Sequence, residues 1–257
     1  MCPGRVRHLD LSQPLTHLNN PFLSIIIPAH NEGSRLPRTL GQVFVFLAKQ
    51  SYSSEVLVIE NASTDRTFNI ARGFTDGHPE LRVFHEAQRG KGCAVQRGML
   101  EARGEYRFLC DADLSMPIDE LNKFLPPNLE EFDLAIASRE VKGAVRYNEP
   151  GFRHWGGRLI NFAIQLLILP GLNDTQCGFK CFRAEAATQL FSQQTIHGWA
   201  FDIEILFLAR RKLYKIKEIP IDWYFDPDSK VKAVKDALLM VKDIFRIRLN
   251  ALRGRYH

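Results

Sequence analysis

The chain has 257 residues, 45% of them hydrophobic and 25% charged, an ordinary globular composition with room for one large domain or two small ones. This excludes a disordered tail and a disulfide miniprotein. Lys and Arg number 34 against 29 Asp and Glu, and the net charge of +5 tilts the protein mildly toward anionic partners, with no nucleic acid expected among them.

Residues 1–21 read as an irregular arm, punctuated by Pro3, Gly4, Asp10, Gln13 and Pro14 and lacking the apolar run and cleavage site of a signal peptide. From Leu23 short β-branched runs alternate with longer amphipathic stretches. Leu23 to Ile27 predicts a strand and Leu36 to Leu47 a helix; Val56 to Ile59 with Thr67 to Phe74, then Leu81 to Phe84 with Ala94 to Ala102, repeat the pair. Tyr106 to Cys110 follows as a strand. Continuous apolar runs of this kind are strands covered by helices on both faces, and the βαβα order predicts an α/β, Rossmann-like, mostly parallel sheet.

The second half is less regular. Leu134 to Ser138 and Phe179 to Phe182 predict strands, Gly157 to Leu169 and Phe201 to Lys212 helices, and Tyr214 to Trp223 an extended segment whose Pro220 suits a sheet edge. Lys230 to Arg253 carries a helical stripe of Val234, Leu238, Val241, Phe245, Leu249 and Leu252. The expected organisation is the arm, a main domain over residues 22–229 and a basic amphipathic C-terminal helix over 230–257. The apolar windows Phe22 to Ala29 and Phe162 to Leu169 fall short of the ~20 residues a membrane span requires. The 5 cysteines (Cys2, Cys93, Cys110, Cys177 and Cys181) are odd in number and lack metal-ligand spacing, so a reduced cytoplasmic setting is expected, with Cys177 and Cys181 as core or site-lining thiols.

Polar clusters fall where four strands end: Pro28 to Glu32, Glu60 to Asp65, Glu86 to Gly92 and Asp111 to Ser115. In open α/β sheets the ligand crevice lies beyond the carboxyl ends of the strands, so these clusters are expected to converge. Asp111-Ala112-Asp113 offers two hard oxygen donors for a divalent cation, Mg or Mn, that would neutralise a departing diphosphate; alone, it also reads as a solvated acidic turn. Arg89-Gly90-Lys91-Gly92 suits phosphate approach at a helix N-terminus, or is a plain flexible turn. Ser63, Thr64 and Asp65 are good helix caps, a role that requires neither Glu60 nor Asn61.

Together, Ile27 to Glu32, Glu60 to Asp65, Arg89 to Val95 and Asp111 to Ser115 resemble the family 2 glycosyltransferases of the GT-A fold, in the family's order and spacing. Asp174 to Lys180, Trp199 to Glu204 and Glu218-Ile219-Pro220 resemble its polyprenyl-phosphate branch. The resemblance implies that Pro28, Ala29, Asn31, Glu32, Glu60, Arg89, Lys91, Asp111, Ala112, Asp174 and Gln176 bind the nucleotide sugar. It implies that Asp111 and Asp113 hold the metal, and that both act in catalysis with Arg139 and Lys180. Ser115 stands where phosphomannose-forming relatives offer Gln, which leans toward glucose.

A phosphate monoester is already largely an oxyanion at neutral pH and needs cations more than a general base. Arg139, Arg153, Lys180 and Lys230 are the acceptor-phosphate candidates, with Arg158 beside them. Trp199 or Trp223 could offer a face to sugar or lipid, or belong to the core. The expected function is inverting transfer of a hexose, foremost glucose from UDP-glucose, to a polyprenyl or dolichyl phosphate. The expected setting is the cytosolic face of a membrane, held peripherally by the basic C-terminal helix. A soluble or glycan acceptor, another nucleotide sugar, or a binding protein without catalysis are the alternatives.

Overall fold

The apolar runs become strands β1 (Leu23–Ala29), β2 (Ser54–Asn61), β3 (Leu81–Glu86), β4 (Tyr106–Leu109) and β5 (Leu134–Ser138), then a short β6 (Val145–Tyr147), β7 (Lys180–Arg183), β8 (Ile216–Pro220) and β9 (Asp222–Tyr224). Helices are α1 (Leu36–Leu47), α2 (Thr67–Gly73), α3 (Lys91–Glu101), α4 (Ala184–Phe191), α5 (Phe201–Arg211) and α6 (Ala233–Leu252), with a 3₁₀ helix at Ile118–Phe124. This computed structural model describes residues 20–148, 168–226 and 233–256, with only the backbone given for 233–238. The expected helix from Gly157 lies outside the described residues except for Ile168 and Leu169.

Seven strands form one sheet in the order β3-β2-β1-β4-β7-β5-β8. Neighbours pair in parallel except at β7, which runs antiparallel to both β4 and β5. The α/β, mostly parallel architecture is therefore as expected. Chain order reverses between β1 and β4, so the ligand crevice belongs beyond the carboxyl ends of those two strands. Because β7 is reversed, Lys180 at its start pairs with Leu109 and Ile136 and so stands at the same rim as the ends of β4 and β5.

Both sheet faces are covered, which is why the central strands need no polar alternation. Ile25, Ile27, Val56 and Val58 pack with Leu36, Leu40 and Val43 of α1 and with Leu121 and Phe124 of the 3₁₀ helix. Ile26, Leu57 and Ile59 pack on the other face with Val95 and Met99 of α3, in a layer that includes Leu190 of α4, Leu206 of α5 and Ile244 of α6. Each such side chain, fully buried, contributes roughly 1.5–3 kcal/mol. A Cβ at Gly98 would lie 2.3 Å from Ile26 Cγ2, so only glycine lets α3 sit this close to β1.

The extended Tyr214 to Trp223 stretch divides at buried Ile221. β8 takes the sheet edge, as Pro220 requires, while β9 leaves to pair with β6 in a separate two-stranded parallel sheet. The four-residue-spaced stripe on α6 faces outward: Val241, Phe245, Leu249 and Leu252 are exposed, whereas Met240, Ile244 and Ile247 pack against the domain. Among the described residues no helix is long and apolar enough to cross a membrane.

Candidate active site

Three of the strand-end loops carry a non-glycine residue in the left-handed region: Asn31 after β1, Ala62 after β2 and Leu114 after β4, with φ of 53°, 48° and 48°. Such backbone costs on the order of 1 kcal/mol per residue and persists only where the surroundings fix it. Hydrogen bonds between the loops do so here. Asn31 N–H donates to Ser63 Oγ at 3.0 Å, and Asn31 Oδ1 accepts from Thr64 N–H at 2.8 Å. Glu32 N–H donates to Thr67 Oγ1 at 2.8 Å, and Gly33 N–H to Asp65 Oδ2 at 3.0 Å. Ser63, Thr64 and Asp65 therefore staple the first loop to the second, beyond any service to α2.

Asn61 ties in the third loop. Its amide donates to the carbonyls of Glu86 at 3.1 Å and Gln88 at 2.7 Å, and its Oδ1 accepts from Gly90 N–H at 2.8 Å. Glu60 is buried, with Ser63 N–H on one oxygen and His85 Nδ1 at 2.5 Å on the other. Burial pushes its carboxyl up, but the Ser63 and His85 contacts outweigh this and hold it below the usual value. Pro28 and Ala29 end β1 at the crevice, where Ala29 pairs with Glu60.

The fourth loop carries Asp111 and Asp113. Thr39 Oγ1 of α1 donates to the Ala112 carbonyl at 2.6 Å, and Ser115 N–H donates to Asp113 Oδ1 at 2.9 Å. Lys91 Nζ lies 2.7 Å from Asp111 Oδ1 and 5.2 Å from the centre of the Trp199 ring. Burial works to lower the Lys91 ammonium, but the charges of Asp111, Asp202 and Asp113 prevail and hold it above its ordinary value. The protein around Asp113 and the neighbouring Asp111 charge raise the Asp113 carboxyl. Gly178 packs directly on this loop, since a Cβ there would sit 1.8 Å from Asp111 Oδ2.

Arg89 is exposed at the rim. The glycines beside it do structural service: a Cβ at Gly90, whose φ is 146°, would lie 2.3 Å from the His197 carbonyl, and one at Gly92 would lie 2.7 Å from that of Ile196. The turn is thus packed on the 192–200 loop.

Several of the expected site residues are engaged by the protein itself. Lys180 is not an open cation. It is buried, donating to the Cys177 carbonyl at 2.6 Å and pairing with Asp202 at 2.8 Å. Asp174 is fully buried. It takes Arg139 Nε at 2.6 Å and Nη2 at 3.0 Å in a bidentate pair and accepts the Arg139 backbone N–H as well. Burial raises Asp174, yet Arg139 and Lys180 outweigh it and keep its carboxyl below the usual range. The Gln176 amide is directed at Met240 Sδ of α6, 3.3 Å away. Arg153, Arg158 and Lys230 lie outside the described residues.

Asp202, at the start of α5 and inside the Trp199 to Glu204 motif, joins this cluster beside Lys180 and Lys91, a place that the motif alone did not assign it. Burial raises its carboxyl, while Lys180 and Lys91 pull it down. An acid set among Phe201, Ile203 and Ile205 was the available signal, because buried acids are rare without partners. Arg146 is a second such residue: its guanidinium lies 5.9 Å from the Trp223 ring, that of Arg139 5.4 Å, and it donates to the Arg139 carbonyl. Glu218 of the Glu-Ile-Pro motif accepts the backbone N–H groups of Asn173 and Asp174 at 2.9 and 3.0 Å, which fixes the loop holding Arg139.

Among the described residues no group of three or more His, Cys, Asp or Glu is arranged to hold a metal. Two adjacent hard carboxylates, Asp111 and Asp113, the first packed directly on Gly178, nevertheless fit a Mg²⁺ or Mn²⁺ ion that draws its remaining ligands from phosphate oxygens and water.

The sequence pattern of glycosyl transferase family 2 matches residues 24–191. The dolichyl-phosphate beta-glucosyltransferase of Dictyostelium discoideum is 34% identical over 251 residues, covering 92% of this chain and 77% of that protein. That of Saccharomyces cerevisiae is 31% identical, covering 96% and 82%, and that of Homo sapiens 32%, covering 90% and 76%. Among solved structures, glucosyl-3-phosphoglycerate synthase from Mycobacterium tuberculosis in complex with Mn²⁺, UDP and phosphoglyceric acid shares the fold at 17% identity with a TM-score of 0.66, covering 90% of this chain and 78% of that one. Mannosyl-3-phosphoglycerate synthase from Rubrobacter xylanophilus does so at 16% identity with a TM-score of 0.66, covering 91% and 74%. The chain belongs to glycosyl transferase family 2, among the relatives of the dolichyl-phosphate beta-glucosyltransferases.

Proposed function

We propose that the protein transfers glucose from UDP-glucose to a dolichyl or related polyprenyl phosphate, inverting the anomeric carbon, at the cytosolic face of a membrane. The observation that carries this reading is the meeting of Lys91, Asp111, Asp113 and Asp202 at the switch point of a family 2 fold whose relatives bear that activity in their names. An acceptor phosphate oxygen attacks the anomeric carbon as its bond to the diphosphate breaks, so a single displacement inverts the centre and UDP leaves. A divalent cation held by Asp111 and Asp113 would supply electrostatic stabilisation of the leaving diphosphate. Glu60, Asn31, Glu32, Pro28 and Ala29 shape the nucleoside end, with Arg89 at its rim. Lys91, charged and anchored on Asp111, faces the diphosphate.

Arg139 is the acceptor-side cation, held in place by Asp174 and flanked by Arg146. Lys180 and Asp202 support the rim from within. The exposed Val241, Phe245, Leu249 and Leu252, interspersed with exposed Lys242, Arg246, Arg248 and Arg253, give α6 the makeup of a helix lying on an anionic leaflet. The test is a matrix of UDP-glucose, UDP-GlcNAc, UDP-galactose and GDP-mannose, each with dolichyl phosphate, with phosphoglyceric acid and with water. UDP release dependent on both UDP-glucose and dolichyl phosphate is the expected result. Transfer confined to phosphoglyceric acid or to another donor would refute the assignment.

A further inference from the structure

The loop that presents Trp199 to Lys91 is held from two sides. On one side it is stitched to the start of α3: Gln194 Nε2 donates to the Gly92 carbonyl at 2.9 Å, and Gln88 Nε2 meets His197 Nδ1 at 2.8 Å. On the other it rests on residues 250–256. Glu204, fully buried in α5, accepts from Thr195 N–H at 2.9 Å, Ile196 N–H at 2.8 Å, Thr195 Oγ1 at 2.6 Å and the Tyr256 hydroxyl at 2.7 Å. Asn250 of α6 donates to Thr195 Oγ1 at 3.0 Å. The Tyr256 ring is buried edge-on to Phe207, 6.4 Å between centroids.

We infer that Tyr256 is a positioning residue for the donor site, acting through Glu204 and the 192–200 loop on Lys91. A buried carboxylate needs its full set of donors, and Tyr256 shares Glu204 Oε1 with the Thr195 hydroxyl. Burial and the Glu204 carboxylate push the Tyr256 hydroxyl up to about 12, so it donates across the physiological range. Through the packing of Ile196 and His197 on Gly90 and Gly92, the register of this loop sets where α3 begins, and Lys91 is its first residue. Tyr256, 52 residues in sequence from Glu204, is thereby part of the diphosphate side of the site.

This inference rests on the donor reading above, and its test separates the two. Tyr256→Phe keeps the ring and removes only the hydroxyl. Amide hydrogen exchange of the full chain and UDP titration with Mn²⁺ are measured for the parent and the variant, and UDP titration also for Trp199→Ala and the double variant. Exchange should rise in residues 192–200 and 89–95, and the UDP dissociation constant should rise about tenfold with a small change in Tm. The hydroxyl effect should shrink in the Trp199→Ala background. Faster exchange confined to residues 250–256, or an unchanged UDP dissociation constant, would make Tyr256 a plug for the core and overturn the inference. If the parent fails to bind UDP, the donor reading falls, and exchange in residues 89–95 still decides whether Tyr256 holds the Lys91 turn.

Discussion

A Cβ on Gly178 would lie 1.8 Å from Asp111 Oδ2, so the absence of a side chain at the approach to β7 is what lets the Asp111 carboxylate sit against Lys91. The segment leading into the reversed strand thus shapes the loop of the strand beside it. Gly178→Ala must displace Asp111, and the expected outcome is loss of roughly 100-fold or more in turnover, the scale of one misplaced transition-state contact. The fold should be kept, as read by circular dichroism and thermal melting. Near-parental activity would show that Asp111 tolerates another position.

Asp113→Asn keeps the shape of the loop, including an acceptor for Ser115 N–H, and removes one carboxylate charge. Turnover should fall by about 100-fold or more, with a higher metal concentration needed for half-maximal rate. An unchanged metal dependence would remove Asp113 from the metal site.

The Asp174 and Arg139 pair makes a prediction about stability against pH. The folded carboxyl titrates below its ordinary value of 3.8, so its contribution is present above that pH and is lost as pH falls through the folded value. Asp174→Asn leaves Arg139 without its bidentate partner and should destabilise by roughly 3–5 kcal/mol at neutral pH. The difference from the parent should narrow in acid. Urea unfolding of both proteins at pH 7 and pH 3 reads this directly, and a pH-independent gap would contradict it.

Replacing Lys242, Arg246, Arg248 and Arg253 with Gln should weaken binding to anionic vesicles, since each cation near such a surface is worth roughly 1 kcal/mol. Binding by the parent should itself weaken in high salt. Activity on a long-chain polyprenyl phosphate should fall, while a short, water-soluble phosphate acceptor should react nearly as before. Equal loss on both acceptors would assign these residues to packing, and unchanged vesicle binding would eliminate the electrostatic anchor.

The sheet was legible because its central strands are buried on both faces and therefore appear as mainly apolar runs, such as Ile25 to Ile27, Val56 to Ile59 and Leu134 to Ala137. The crevice was legible for a related reason: polar clusters at strand ends have one common place to converge in a parallel sheet. What the sequence withheld is non-local. Lys180 reads as a free cation until β7 is seen to run backwards and bring it to Asp202, more than 20 residues away. Asp174 and Gln176 are polar residues in a loop, and nothing in their spacing says that one is locked to Arg139 and the other meets α6. On α6 two apolar stripes compete for the core. The regular one, with Phe245, lost to the one with Ile244 and Ile247, because docking of Asn250 and Tyr256 on Thr195 and Glu204 fixes the rotation of the helix.

The most direct test is the product itself. The parent enzyme, incubated with UDP-glucose, Mn²⁺ and dolichyl phosphate, should form a glucosyl phosphate lipid whose anomeric configuration, read by NMR, is opposite to that of the donor. It should form none with Asp113→Asn. A product of retained configuration, or UDP release with no sugar on the lipid, would contradict the account.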